Sequence, residues 1–243
     1  MKTKAIIFDN DNTIAKIYPD PKNFWLDVFV EALRRCGGVA PQGQAEELMI
    51  AYYRNDDFID KMMHAGVNCD YDEFQRIKGI VDEEFRLKTI NEGSSHLFAD
   101  AVEIFAWARA NNMKIMVATF TTREVVEAYF QKAGLQKPDS IYDWNDSMKY
   151  SWKKPDKRII EHLLDPYGIN LDEAIMVGDR ITDIQTGKNA GCRSVLVVRK
   201  DEDGEYSDVM LREIESEKAN SPESPKIPDN IIDSLSELRG ILS

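Results

Sequence analysis

Apolar positions along the chain follow two different spacings. Lys4–Phe8 is a short β-branched and aromatic run that stops abruptly at Asp-Asn-Asp-Asn, which predicts a buried strand opening into a polar loop. From Pro21 to about Thr89 the strand signal vanishes and apolar residues recur at helical spacing. Phe24, Trp25, Val28, Phe29, Ala32 and Leu33 form one stripe. Leu48, Ala51, Tyr52, Phe58, Ile59 and Met62 form a second, interrupted one, and Phe74, Ile77, Ile80, Val81 and Phe85 a third. The breaks fall at Gly37-Gly38 with Pro41, and at Gly66–Asn68. This pattern predicts a helical subdomain, residues 16–91, inserted after the first strand.

After Gly93-Ser94-Ser95 helix and strand patterns alternate. Helices are expected at Ala99–Asn111, Glu124–Lys132, Pro155–Tyr167 and Ile181–Ala190, and strands at Lys114–Ala118, Ser140–Tyr142, Ala174–Val177 and Ser194–Val198. Such alternation implies βαβ units, a mainly parallel sheet and an α/β core made of residues 1–15 and 92–243. Asp201–Pro228 is charged and holds three prolines, and reads as an excursion or a mobile segment. Ile231–Leu242 reads as a closing amphipathic helix.

The chain has 243 residues, enough for one large or two small domains with a sizeable core. Its net charge of −12 argues against a nucleic-acid scaffold, which needs clustered Lys and Arg, but not against small phosphorylated molecules. Ala5–Phe8 is too short for a signal-peptide core, and no later stretch approaches a membrane span, so a soluble, cytoplasmic protein is expected. Cys36, Cys69 and Cys192 form no CxxC pair, and His64, His96 and His162 are isolated, so any metal must be held by oxygen.

Ligands of open parallel α/β sheets bind at the carboxyl ends of the strands, so the residues that follow each strand matter most. Asp9, Asp11 and Thr13 follow the first strand and Thr119 follows Lys114–Ala118. Lys153 and Lys154 precede Pro155, and Gly178, Asp179 and Asp183 follow Ala174–Val177. Carboxylates so close repel, and a hard divalent cation such as Mg2+, which takes carboxylates, phosphate and water, relieves the repulsion. An ammonium from Lys154 and a hydroxyl from Thr119 then suit a phosphoryl group. Either Asp9 or Asp11 can serve as nucleophile and the other as proton carrier.

Each element also has a plain structural reading. Asp and Asn are common turn residues, Thr119 can be a turn residue, and Thr122 is the better N-cap for the next helix. Lys153-Lys154-Pro155 can be a solvated turn, and Asp183 an acid favoured by a helix dipole. These readings leave unexplained why four separate junctions all carry parts of one phosphoryl-transfer site.

Taken in order, IIFDNDNT, IMVAT, KKP and IMVGDRITD resemble the four motifs of the haloacid dehalogenase (HAD) superfamily, and the likeness runs from Lys4 to about Val198. The resemblance implies a Rossmann-like, doubly wound parallel sheet with an inserted α-helical cap. It implies Asp9 as nucleophile and Asp11 as general acid/base, with Asp11 also offering its backbone carbonyl to Mg2+. It implies Asp179 as a metal ligand, and Asp183 as a metal ligand through water or an orienter of Lys154. Thr119 and Lys154 would hold phosphoryl oxygens, with backbone N–H groups of Asn10, Asn12 and Phe120. Three features depart from the pattern: Asn12 stands where Gly is frequent, Phe120 where Asn often follows the hydroxyl, and 201–228 has no counterpart in compact members.

An Asp at position 11 argues against dehalogenation, in which halide leaves without a proton, and no cap lysine is marked for Schiff-base chemistry. The expected activity is hydrolysis of a small phosphorylated metabolite: phosphoglycolate, a sugar phosphate or a nucleoside monophosphate. The alternatives are a sugar phosphomutase and a non-catalytic phosphoester- or protein-binding relative. Residues 37–44 and 14–23 are the expected selectivity segments, and Arg34, Arg54 and Lys61 are candidate partners for an anionic tail.

Overall fold

The opening apolar run forms strand β1 (Ala5–Phe8), all four residues of which are fully buried. This computed structural model describes residues 2–17, 21–38, 42–54, 58–64, 66–67 and 69–242. In chain order, β1 and the short β2 (Ala15–Lys16) precede four helices: α1 (Pro21–Arg35), α2 (Gln42–Arg54), α3 (Phe58–His64) and α4 (Tyr71–Glu92). There follow β3 (His96–Leu97), α5 (Ala99–Ala110), β4 (Lys114–Ala118), α6 (Arg123–Lys132), β5 (Ser140–Tyr142), α7 (Trp144–Tyr150) and α8 (Arg158–Leu164). The chain ends with β6 (Ala174–Gly178), α9 (Ile181–Ala190), β7 (Arg193–Val197), α10 (Lys200–Asn220), β8 (Asn230–Ile232) and α11 (Leu238–Leu242). Two compact units result: Met1–Lys16 with His96–Ser243, and Ile17–Ser95.

The first unit is built on a six-stranded sheet in the order β5-β4-β1-β6-β7-β8, with every pair parallel. Ala5–Phe8 register against Lys114–Val117 on one side and Ala174–Val177 on the other. The chain therefore runs outward from β1 through β4 to β5, then returns and runs outward the other way through β6, β7 and β8. That reversal places a topological switch point beside β1, where crevices open at the carboxyl ends of such sheets. The expected α/β, doubly wound architecture is observed. Strands buried on both faces explain the unbroken apolar runs AIIF and AIMVG.

Among its described residues the second unit is built of helices, and residues from its three apolar stripes form one core. Phe24, Phe29 and Leu33 of α1 pack with Leu48 of α2, Phe58 and Met62 of α3, and Phe74 and Val81 of α4. Aromatic rings meet edge to face, with centroids 5.3 Å apart for Phe29 and Phe74 and 5.2 Å for Tyr52 and Phe58. Asp70 caps α4 by accepting from the Glu73 N–H at 2.9 Å, and Gly93, at φ 84°, ends it in the left-handed conformation that favours glycine. Pro41 and Asn68, named among the breaks, lie outside the described residues.

Four expectations change. The helix expected at Pro155–Tyr167 begins only at Arg158, because Asp156 N–H closes a turn on the Lys153 carbonyl and the Asp156 carboxylate then takes the Arg158 N–H. Helix α7 was not expected; its signal is the reciprocal capping box of Asp143 and Asp146. Asp201–Pro228 is not an excursion: Lys200–Asn220 is one helix, whose Met210 and Ile214 pack with Ile184, Leu196 and Val198. The closing helix expected at Ile231–Leu242 opens instead as strand β8, paired with Val195–Val197, and only Leu238–Leu242 is α-helical. Three residues are too few to show a period of two, and the backbone of β7 supplies the partners that make them a strand.

Gly187 of α9 sits tightly on the sheet: a Cβ there would lie 2.8 Å from Met176 Cβ. Gly187→Ala is expected to cost about 1–3 kcal/mol through overpacking. Urea unfolding checks this as a lower midpoint with an unchanged slope; a stability equal to that of the native protein would show that the helix can shift at no cost.

Candidate active site

The loops after β1, β4 and β6 and the turn before α8 bring the predicted groups together. Lys154 donates to Asp9 Oδ1 at 2.5 Å, to Asp183 Oδ1 at 2.6 Å and to the Ala118 carbonyl at 3.2 Å. One ammonium thus ties the ends of β1, β4 and the start of α9. Asp183 is also held by its other oxygen, which accepts from the Arg180 N–H at 3.1 Å. Asp179 accepts from the Thr13 hydroxyl at 3.1 Å, a bond between residues 166 positions apart. Gly178 permits the close approach, since a Cβ there would come within 2.4 Å of the Asp183 side chain.

The loop after β1 folds on itself. Asn12 N–H donates to the Ala15 carbonyl, and the Asn10 carbonyl accepts from Ile14 and Ala15. Asn12 takes φ 55°, a left-handed angle that asparagine tolerates better than most residues. Asn10 is buried and its amide donates to Asp11 Oδ1 at 2.8 Å, so the partly exposed Asp11 carboxylate is aimed by its neighbour. Thr119 is buried, and its hydroxyl oxygen accepts from the Thr121 N–H at 3.1 Å, leaving the hydroxyl proton to donate elsewhere. Phe120 is 44% exposed, with the Lys154 ammonium 5.3 Å from its ring centroid. Thr122, expected to cap α6, occupies the N-cap position but makes no capping bond; Asp143, from beyond β5, accepts from the Arg123 N–H at 2.9 Å instead. A carboxylate is the stronger acceptor for a helix start.

Electrostatics set the cluster apart. Burial above all, then the charges of Asp183 and Asp11, push the Asp9 carboxyl up to about 7, against the lowering influence of Lys154. Burial, then the Asp9 and Asp183 charges, push Asp179 well above the ordinary carboxylate range. Burial opposes the Lys154 charge, but Asp183 and Asp9 outweigh it and hold the ammonium above its usual range. The result is one buried cation facing three buried acids, a charge imbalance that asks for a further positive group.

A family model of haloacid dehalogenase-like hydrolases matches residues 3–191, and a second, HAD-hydrolase-like, model matches 151–238. The chain belongs to the haloacid dehalogenase-like hydrolase family. Phosphoglycolate phosphatase of Vibrio parahaemolyticus is 24% identical over 245 residues, covering 99% of this chain and 96% of that protein. Phosphoglycolate phosphatase of Rhodospirillum rubrum is 30% identical over 101 residues, which is 42% of this chain and 41% of that protein. The solved HAD phosphatase from Thermococcus onnurineus shares the fold, with a TM-score of 0.65 at 22% identity over 99% of this chain and 98% of that one.

HAD-like hydrolases imply a divalent metal, and this cluster fits one. Ligand oxygens of Asp9, Asp179 and Asp183 lie within 4.8 Å of one another, an all-oxygen set suited to a hard cation. Among the described residues no ion pair reaches Asp179, and the nearby Arg180 and Lys154 charges do not offset its burial. The Asp11 carboxylate stands apart from this group and faces Asn10.

Other candidates lie elsewhere or are engaged. The Arg34 guanidinium is exposed and doubly bonded to Glu31 at 2.7 Å. Lys61 is exposed, and the Arg54 side chain lies outside the described residues, as do residues 18–20 and 39–41 of the expected selectivity segments. Two features were not assigned from sequence. Thr13 was noted at the strand exit without a role, and Arg199, which bonds the carbonyls of Asn12 and Thr13, comes from 187 positions away with no motif to mark it.

Metal binding should therefore depend on pH. The folded state holds the Asp9 proton up to about pH 7, whereas an unfolded chain releases it near the ordinary value of 3.8. Between those values the folded state binds more protons, so the stability contributed by Asp9 is full below 3.8 and is lost as pH rises through 7. A divalent cation competes for the same oxygens, so it should raise the melting temperature more at pH 8 than at pH 5.5. Melting curves with cation and with chelator check this, and an equal or inverted shift at the two pH values would refute it.

Proposed function

We propose that the protein is a Mg2+-dependent phosphomonoester hydrolase that forms an aspartyl-phosphate on Asp9. The observation that carries this reading is the Lys154 ammonium, clamped between Asp9 at 2.5 Å and Asp183 at 2.6 Å beside Asp179 at the sheet's switch point. Asp9, Asp179, Asp183 and the Asp11 carbonyl would hold the metal, and when bound it supplies positive charge to the phosphoryl oxygens and to the carboxylates around them.

The chain's own groups divide the work as follows. An Asp9 oxygen attacks phosphorus and the ester P–O bond breaks, while protonated Asp11 gives its proton to the leaving alkoxide oxygen. Asp11 then removes a proton from water, whose oxygen attacks the same phosphorus, and the bond from phosphorus to Asp9 breaks to release phosphate. Lys154 and the Thr119 hydroxyl hold phosphoryl oxygens throughout, with the backbone N–H groups of Asn10 and Phe120, whereas the Asn12 N–H expected to join them is taken by the Ala15 carbonyl.

Phosphoglycolate is the first substrate to test, since several relatives of this chain are phosphoglycolate phosphatases, ahead of sugar phosphates and nucleoside monophosphates. The helical unit, residues 16–91 in the sequence-based division, is the proposed cap that sets substrate choice, because every group given a chemical role belongs to the α/β unit. The net charge of −12 makes large polyanions poor substrates. Among the described residues no helix is long and apolar enough to cross a membrane, and all three cysteines are free thiols; a cytoplasmic site of action suits both facts.

Phosphate release from a panel of small phosphomonoesters tests the reading. Release should require Mg2+ and stop with chelator. Asp9→Asn should lower it by about 10³-fold or more, and Asp11→Asn by about 10²–10⁴-fold on alkyl esters. Native-like release by Asp9→Asn would refute the nucleophile assignment. Rearrangement of a hexose phosphate without release of inorganic phosphate would identify a mutase instead.

A further inference from the structure

Two carbonyls of the loop that carries Asp11 are held from outside by one guanidinium. The loop's own hydrogen bonds use the carbonyls of Asn10 and Ala15. The carbonyls of Asn12 and Thr13 turn outward and are taken by Arg199: Nε donates to Asn12 at 3.0 Å and to Thr13 at 3.2 Å, and a terminal nitrogen donates to Thr13 at 2.7 Å. The other edge of the same fork grips Asp100 at 3.2 and 3.1 Å. Asp100 is fixed in turn by the Ser234 hydroxyl at 2.9 Å and the Leu235 N–H at 2.8 Å. The guanidinium carbon also lies 3.7 Å from the Phe98 ring centroid. Arg199 is thus locked by two chain segments while it locks a third, and its side chain is only 11% exposed.

Surface arginines rarely engage every nitrogen. This one does, and its targets are the carbonyls of the two residues that follow Asp11, one of them Asn12 with its left-handed φ of 55°. Fixing those peptides fixes the backbone from which the Asp11 carboxylate projects, while Asn10 steadies the carboxylate itself. A lysine keeps the charge but lacks the rigid planar fork that reaches the loop carbonyls on one edge and Asp100 on the other.

We infer that Arg199 is a positioning residue for the general acid: through the Asn12 and Thr13 carbonyls it holds Asp11 where it can protonate the leaving oxygen. The inference rests on the hydrolase reading above and makes a claim that a purely structural role does not. Loss of Arg199 harms the expulsion of leaving groups that need a proton and spares those that do not.

A phosphomonoester and an acyl phosphate separate the cases. 2-Phosphoglycolate must expel an alkoxide and needs the acid, whereas acetyl phosphate expels acetate, which leaves without a proton. With Mg2+ present, kcat/KM for 2-phosphoglycolate should fall about 30-fold in Arg199→Ala, and for acetyl phosphate by less than about 3-fold. Asp100→Asn, which loosens the fork without removing it, and Arg199→Lys should shift the ratio in the same direction by less, and they carry the test if the alanine variant does not fold. Equal losses on both compounds would show a structural role only and overturn the inference, as would no loss on either, while the hydrolase reading stood. If the native protein releases phosphate from neither compound nor from any phosphomonoester of the panel, the functional reading fails and the inference fails with it.

Discussion

Three carboxylates whose ligand oxygens lie within 4.8 Å of one another, all shielded from water, set the terms for the α/β unit. Left alone they would take up protons or swell apart. Lys154 prevents part of this by spanning Asp9 and Asp183, and its own burial is tolerable only because of them. One ammonium cannot balance three acids, and burial first, then the neighbouring carboxylates, push Asp9 and Asp179 up. In the proposed reading, a divalent cation and then a phosphoryl group relieve that repulsion.

The sheet makes the crowding possible. Parallel pairing of β1 with β4 and β6 sets three strand ends side by side, and the reversal of strand order keeps helices from closing over them. Small residues then remove steric obstacles: Gly178 admits Asp183, and Gly187 lets α9 settle onto Met176 so that its first turn points at the cluster. The polar loop after β1 is secured at both sides, by the Thr13 hydroxyl on Asp179 and by Arg199 on the neighbouring carbonyls. Positioning is thus spread over the residues just after β7, α5 and the segment after β8, none of which supplies a reacting group.

Much of the site was legible in the chain because its parts lie at junctions. Asp9 and Asp11 follow the first apolar run, Thr119 the second, and Asp179 and Asp183 flank the start of a helix, so short motifs mark them. Lys154 was visible as part of a Lys-Lys-Pro turn, although the helix after it starts three residues later than its proline suggests. Elements failed where local pattern and tertiary partner disagreed. Lys200–Asn220 is so charged that its thin apolar face, Met210 and Ile214, reads as noise until the sheet is there to receive it. Asn230–Ile232 is a strand only because β7 offers an open edge.

The order of residues by itself determined the fold class, the helical insertion after the first strand and the identity of the chemical groups, since hydrophobic period and junction chemistry are properties of neighbours in the chain. Tertiary structure alone decided who touches whom: Lys154 on Asp9 across 145 positions, Thr13 on Asp179 across 166 and Arg199 on Asn12 across 187. Hydrogen bonds and desolvation act over a few ångströms. Their partners are chosen by strand register and by burial, which exist only once the whole sheet has formed.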